Sequence, residues 1–238
     1  MTEPTARDAH QPRRSPRNEA PPDSGVTPPR QARSRRTLER LLAAAEEMLR
    51  DRSFDEVPVR EICDRAGYTV GAFYARFDGK DVLLERLQGR TVERFEAVVE
   101  EHLSGPRWTR PETEERLAEL FTALLRFHRG ERGMLRTLLE RSRGDGGPGH
   151  ALERLDESLA RRIDARLPRA RGSWAHPDPE RGIRTALHLV LGAIRSSALL
   201  AGPDPLAGEL DDRQRGAALA RAFVGAAGIG SAGGSLFR

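Results

Sequence analysis

The sequence predicts an all-α protein with about nine helices, because apolar residues recur at helical spacing from Leu38 onward. Pro and Gly cluster between these segments, and no alternating apolar and polar run is long enough to predict a strand. Of the 238 residues, 37% are hydrophobic and 32% charged, which is typical of a soluble helical protein. We expect one compact domain with a smaller one beside it.

The first helix follows a segment that we expect to be disordered. Residues 1–33 are rich in Pro, Arg and small polar residues, which cannot bury enough apolar surface to offset the entropy of ordering. Ser34 is a suitable N-cap for a helix over residues 34–52. The apolar residues of this helix share one face: Leu38, Leu41, Leu42, Ala45, Met48 and Leu49.

Two short helices and a turn follow. Pro58 suits the first turn of a helix that ends at Ala66, because its missing N–H is not needed there. Gly67 tolerates the left-handed conformation that ends helices. Thr69 is then a candidate N-cap for a third helix, in which Phe73 and Phe77 share a buried face.

The remainder of the chain is predicted to be helical as well. A long helix covers about residues 80–103, and apolar periodicity continues in the segments 111–129, 132–142, 149–167, 180–201 and 207–227. We assign residues 34–84 to an N-terminal three-helix domain and residues 85–230 to a larger helical domain. Residues 231–238 are expected to form a flexible C-terminus.

Composition excludes several classes of protein. The longest strongly apolar stretch, residues 187–194, is far shorter than the ~20 residues of a membrane span. The N-terminus lacks the apolar region of a secretory signal, and a single cysteine, Cys63, excludes an internal disulfide. We therefore expect a cytoplasmic location, no membrane contact, and Cys63 as a small core residue.

Residues 59–84, VREICDRAGYTVGAFYARFDGKDVLL, resemble the helix-turn-helix region of the TetR family of transcriptional regulators. The AG turn, the FY-x-x-F ending and the following GK-x-x-LL all occur at the family spacing, over roughly 50 residues. The resemblance implies an all-helical homodimer with an N-terminal DNA-binding domain and a C-terminal effector-binding and dimerisation domain. One departure is Val57-Pro58, where many members carry a Thr-Ser pair that caps the second helix and donates to phosphate.

The resemblance assigns Tyr74 and Lys80 to contacts with backbone phosphate. Thr69 matches the cap of the recognition helix, which can also donate to phosphate, and Arg60 lies where some members reach a guanine edge. Arg33 and Arg35 precede the first helix, where a solvated tail and a phosphate clamp remain alternatives. The predicted DNA-binding residues are Arg33, Arg35, Arg60, Thr69, Val70, Gly71, Ala72, Tyr74, Ala75, Arg76 and Lys80.

The recognition helix offers few hydrogen-bonding side chains to a base. Val70, Gly71, Ala72 and Ala75 have none, and Arg76 is the one strong donor at its end. Direct readout should therefore depend on Arg60 and Arg76, with apolar contacts to thymine methyl groups. We hypothesise that much of the specificity comes from half-site spacing and DNA shape.

The resemblance also places an effector pocket and a dimer interface in the second domain. Candidate pocket residues are Trp108, Phe121, Leu124, Phe127, His128, Met134, Trp174 and His188, although such residues at helical spacing are more often core. The last two long segments carry apolar seams rich in small residues, which could pack against the body or against a second copy. The candidate interface residues are Ile183, Leu187, Val190, Leu191, Ile194, Leu219, Ala222 and Phe223.

No catalytic or metal-binding motif is present in the sequence, so we expect neither an enzyme nor a cofactor. The six histidines lack ligand spacing, and Lys80 is followed by Asp81, which excludes a Walker-type phosphate loop. The sequence thus predicts a homodimeric repressor that binds a palindromic operator in double-stranded DNA and responds to a small-molecule effector. The alternative is an effector-independent or nucleoid-type DNA-binding protein.

Overall fold

The computed structural model describes residues 30–141, 149–168, 174–200 and 210–229. Within these ranges the chain is all-α, as predicted, with one isolated antiparallel bridge between Trp174 and Ile229. The predicted tail up to residue 29 and the C-terminus from residue 230 lie outside the described residues. The elements are α1 (Arg30–Met48), a 3-10 helix (Phe54–Glu56), α2 (Val59–Ala66), α3 (Val70–Tyr74), α4 (Lys80–Leu103), α5 (Arg110–Gly130), α6 (Arg132–Arg141), α7 (Gly149–Arg166), α8 (Pro179–Leu199) and α9 (Asp212–Ala227).

Helix α1 begins earlier than the sequence predicts. It starts at Arg30, so Ser34 lies inside the helix and is not its N-cap. The reason is that the arginines and glutamine around it favour helix even without an apolar face. Arg33 and Arg35 therefore lie on the exposed first turns of α1 rather than on a tail.

Two local features, the C-cap of α2 and the N-cap of α3, give these helices the arrangement of a helix-turn-helix. Gly67 ends α2 with φ 75°, a left-handed conformation that favours glycine, and the Tyr68 amide donates to the Cys63 carbonyl at 2.9 Å. Thr69 Oγ1 then accepts from the Ala72 amide at 3.2 Å and caps α3. Both predictions are confirmed, whereas Pro58 takes the N-cap position of α2 instead of its first turn.

The buried residues form two clusters, which we call the head core and the body core. The head core joins α1, α2, α3 and the start of α4, and includes the fully buried Phe54, Ile62, Cys63 and Phe73. The body core joins the rest of α4 with α5, α7, α8 and α9. Helix α4 contributes to both, because Leu83, Leu84 and Leu87 face the head core and Phe95, Val99 and Leu103 face the body core.

Helix α6 follows the body helix α5 in sequence but packs into the head core. Its Met134 and Leu138 are buried there. Thr137 Oγ1 accepts a hydrogen bond from the Phe54 amide at 2.8 Å and donates to the Gly133 carbonyl at 2.7 Å. Gly133 lies so close to α1 that an added Cβ would be 1.9 Å from the Leu49 carbonyl oxygen. The head is therefore completed by a helix from the second half of the chain.

Candidate nucleic-acid interface and body cavity

Helix α3 buries one side chain and presents the others to solvent. Phe73 is fully buried and its ring lies 5.0 Å from that of Phe77. On the opposite side Val70 is 40% exposed and Tyr74 55% exposed, which is unusual for large apolar and aromatic residues. Small residues, Gly71 and Ala75, separate them and are exposed as well. The buried rings of Phe73 and Phe77 pack beneath this surface. Because its small side chains project little, a flat or grooved partner can approach it closely.

Thr69 and Lys80 lie at the helix N-termini on either side of this surface. Thr69 Oγ1 is the acceptor in its capping bond, so the hydroxyl hydrogen can be donated to an external oxygen. Lys80 Nζ donates to the Phe54 carbonyl at 2.6 Å and sits 4.5 Å from the centre of the Phe54 ring. Partial burial lowers the pKa of Lys80. The 3-10 helix thus holds the ammonium group at the start of α4.

Arg141, at the end of α6, connects the same region to the body. Its guanidinium bonds Asp55 on the 3-10 helix at 2.6 Å and Asp81 beside Lys80 at 2.7 Å. The hydrogen bond from Arg141 is the main cause that lowers the pKa of Asp55. Both carboxylates next to Lys80 are therefore neutralised by α6, which favours the approach of a phosphate. Sequence reasoning missed Arg141, since no local pattern marks a partner so distant in the chain.

Arg76 and Arg60, the two arginines predicted to contact bases, have different surroundings in the structure. Arg76 Nε donates to the Ser34 carbonyl at 3.4 Å and Nη1 to the Ala72 carbonyl at 3.2 Å, so its guanidinium leans toward α1. Arg60 is exposed and lies 3.9 Å from Asp64, a weak contact that leaves it able to reorient. Arg60 stays a candidate for base contact. Arg76 would have to break its hydrogen bonds to the Ser34 and Ala72 carbonyl groups before it could contact a base.

The same surface has a counterpart among known proteins. The model of bacterial regulatory proteins of the tetR family matches residues 41–87, which span α1 to the start of α4. This stretch of the chain is therefore similar to the N-terminal region of TetR-family regulators. Among curated proteins the chain has no match.

Solved TetR-family structures share the fold over about four-fifths of the chain. A transcriptional regulator from Streptomyces coelicolor is 17% identical with a TM-score of 0.62, over 81% of this chain and 80% of its own. A regulatory protein from Rhodococcus RHA1 is 18% identical with a TM-score of 0.58, over 82% and 98%. A member from S. coelicolor A3 is 25% identical with a TM-score of 0.52, over 78% and 90%. The comparisons thus give the chain the fold of TetR-family regulators and a TetR-like segment at residues 41–87.

In this TetR-type protein a cavity of about 40 Å³ lies between α4, α5, α6, α7 and α8. Its walls are mostly apolar and include three residues predicted for a pocket, Phe127, His128 and Met134. Phe95 and Leu155 complete the apolar side. Met134 and Leu138 belong to the head core as well, so α6 forms a wall shared by the cavity and the head.

The other predicted pocket residues are placed elsewhere. Phe121 and Leu124 are fully buried in the body core, where the Phe121 ring lies 5.7 Å from that of Phe223 on α9. Trp108 is buried near the end of α7, Trp174 pairs with Ile229 in the isolated bridge, and His188 is exposed on α8. Apolar spacing identifies the buried side of α5 but not which neighbour each residue faces, which explains the difference.

The candidate dimer residues are mostly interior to the single chain. Ile183, Leu187, Val190, Leu191, Ile194 and Phe223 are all nearly or fully buried, and Leu219 packs against the body core. In the single chain these side chains face the body core, and their role in a dimer interface stays a prediction. Ala222 is exposed, and the opposite side of α8 exposes a different stripe that includes Leu189, Gly192, Ala193 and Ser196.

The pKa of His128 is strongly lowered by its burial in the body. His128 is 4% exposed, and burial lowers its pKa to about 4, with an opposing contribution from its hydrogen bond to the Leu124 carbonyl at 2.8 Å. The ring is therefore neutral near pH 7. Within the described ranges, no cluster of His, Cys, Asp and Glu suits a metal ion, and no helix is both long and apolar enough to cross a bilayer.

We expect His128 to make the protein less stable in mild acid. The unfolded chain takes up a proton at His128 near pH 6.5, whereas the folded chain does so only near pH 4, so stability is lost as the pH falls between these values. The loss should approach about 3 kcal/mol. His128→Asn can keep the bond to Leu124 without titrating, so urea unfolding of both proteins should show a smaller acid loss in the variant. Equal pH dependence would contradict this.

Proposed function

We propose that this TetR-type regulator is a ligand-responsive homodimeric repressor of transcription that binds a palindromic operator. The observation that carries the proposal is the position of α6, which is packed into the head core on one side and lines the body cavity on the other. A molecule that enlarges the cavity on its α6 side would displace Met134 or Leu138, and both are buried in the head core.

DNA recognition would use the exposed side of α3 and the two adjoining helix starts. Tyr74, Thr69 and Lys80 would contact phosphate, and the exposed Val70 and the small residues of α3 would approach the floor of the major groove. Phosphate contacts fix register, and few side chains read base edges. Specificity then depends strongly on half-site spacing and DNA shape.

The effector would act by changing the relative populations of two arrangements of the heads. Two heads must sit about 34–36 Å apart to enter successive major grooves. Helix α4 continues from the head core into the body core, so it carries any tilt from one to the other. A ligand weakens DNA binding only to the extent that it prefers the misaligned arrangement.

Dimerisation would use the exposed sides of α8 and α9. Gly192, Ala193 and Ser196 on α8 and Gly225 and Ala226 on α9 are exposed and small, which allows helices to approach closely. Leu189 is 59% exposed in the same stripe. Two copies of these helix pairs would form a four-helix interface.

We expect Leu189→Arg to convert the dimer to a monomer. Placing a guanidinium at the centre of an apolar interface adds an unpaired charge on each side of the symmetry axis. Multi-angle light scattering should show the mass fall to that of one chain, 26.4 kDa. Arg116→Leu, on the exposed side of α5, is a control that should leave the mass unchanged. A wild-type monomer would refute the interface.

The proposed function is tested by selecting genomic DNA fragments with the purified full-length protein. Enrichment of one short palindromic site, followed by repression of a reporter placed behind it, is the expected result. Small molecules related to the functions encoded by the neighbouring operon are then added, and one of them should release the protein from the DNA. Absence of any enriched palindrome would refute the proposal.

A second candidate is effector-independent DNA binding. The cavity of about 40 Å³ favours it, since that volume accommodates about one water molecule in the described conformation. Under this alternative the selection yields diffuse fragments, and binding survives the loss of Tyr74 and Lys80 through the arginine-rich N-terminal segment, which includes Arg33 and Arg35.

A further inference from the structure

Two donors beside the body cavity have no hydrogen-bond partner among the described residues. They are Nε2 of Gln88 on α4 and Nε of Arg195 on α8, both on side chains that line the cavity. An unpaired buried donor destabilises the folded protein, because it has lost its hydrogen bond to water. The two come from different helices, so the cavity wall brings together a pair of unsatisfied groups that the fold alone does not need.

His128 adds an acceptor to the same cavity. Its Nδ1 lies 2.8 Å from the Leu124 carbonyl oxygen, and a carbonyl only accepts, so Nδ1 carries the hydrogen. With the ring neutral, Nε2 is left as an acceptor. The cavity therefore combines two donors and one acceptor with apolar walls formed by Phe95, Phe127 and Leu155.

The charges around the cavity are already balanced. The terminal nitrogens of Arg195 bind both oxygens of Asp156, one of them at 2.8 Å. The Glu131 carboxylate is bound by Thr91 at 3.2 Å and Arg94 at 2.9 Å. An anionic ligand would meet a compensated guanidinium and two nearby carboxylates, so the site disfavours negative charge.

On the basis of the ligand-responsive function above, we propose that the cavity binds an uncharged, mainly apolar molecule whose carbonyl oxygen accepts hydrogen bonds from Gln88 and Arg195. Its apolar part would replace packing among Phe95, Phe127 and Met134. Because the cavity holds about one water in this state, a larger ligand must push α6 outward, and methionine at position 134 gives that wall flexible side-chain packing.

The test compares three probes of nearly equal shape: 2-acetylnaphthalene, 2-ethylnaphthalene and 2-naphthoate. Their affinities for the full-length protein are measured by titration calorimetry and by the rise in melting temperature. The ketone should bind about ten-fold more tightly than the hydrocarbon, because it satisfies the two donors. The carboxylate should bind least tightly. A carboxylate that binds most tightly would overturn the proposal in favour of an anionic ligand.

Gln88→Leu provides the matched variant. It removes the amide donor at similar volume and leaves that of Arg195, so ketone affinity should fall by about three-fold while hydrocarbon affinity stays the same, which also shows that the variant is folded. Leu155→Met changes the wall without changing a polar group and should preserve the ratio between ketone and hydrocarbon. Equal effects of both variants on the ratio would overturn the role of Gln88.

Failure of the ligand class is distinguishable from failure of the regulator function. The same preparations are assayed for binding to the selected palindromic DNA. If none of the three probes binds while DNA binding is intact, the donors face only water and the proposed ligand class is overturned. If DNA binding to a palindrome is absent, the regulator function itself is refuted, whatever the probes do.

Discussion

Replacing Lys80 with alanine is expected to weaken operator binding by at least about a hundred-fold in the dimer. Each charge-assisted contact with phosphate contributes about 1.5–3 kcal/mol, and a dimer loses two. The dependence of log affinity on log salt concentration should become less steep by about 2, because two fewer counterions are displaced. Fluorescence anisotropy with the selected operator at several salt concentrations measures both quantities.

Two controls separate this contact from general charge. Arg116→Ala removes the same charge from the exposed side of α5, far along the chain from the head, and should leave the salt dependence unchanged. Lys80→Arg keeps the charge and should retain most of the affinity. Because Lys80 also bonds the Phe54 carbonyl, a melting curve must show that the alanine variant is folded. An unchanged slope would show that Lys80 does not contact phosphate.

Gly133→Ala should destabilise the protein by more than about 3 kcal/mol, although the change adds only one methyl group. The added Cβ would lie 1.9 Å from the Leu49 carbonyl oxygen and 2.3 Å from that of Arg52, and backbone atoms cannot move aside as a flexible side chain can. For a chain of this size the melting temperature should fall by about 6–12 °C.

Gly89→Ala is the matched control for this substitution. Gly89 lies inside α4, and its Cβ would meet nothing within 4 Å. Alanine there should stabilise the protein by about 0.5–1 kcal/mol, since it favours helix more than glycine does. If Gly133→Ala were as stable as Gly89→Ala, the close packing of α6 on α1 would be wrong.

The head could be predicted closely from sequence because its determinants are local. Gly67 requires a left-handed conformation, Thr69 caps the next helix, and Phe73 and Phe77 recur at helical spacing. Each signal acts within a few residues, so reading the chain in order recovers it. The start of α1 differs from the prediction because helix propensity extends the helix to residues before the first large apolar residue, Leu38.

The body could not be predicted to the same detail because its contacts are distant in sequence. Apolar periodicity locates α5, yet Phe121 faces α9 and Phe127 faces α4, and only packing decides between them. Gln88 and Arg195 are separated by most of the domain before they meet at one cavity. The exposed side of α8 could not be predicted either, because a seam of apolar residues indicates burial without indicating which helix covers it.

Because α6 packs into the head core although it follows α5 in sequence, the segment from α1 to α4 is not a separable unit. A fragment cut after α4 would lose Met134 and Leu138 from its interior and would leave the Phe54 amide without the Thr137 hydroxyl. Chimeras that exchange DNA specificity between such regulators must therefore transplant α6 together with α1 to α4. The order of the helices in sequence differs from the way they pack together, and a graft should include all the helices that pack into the head core.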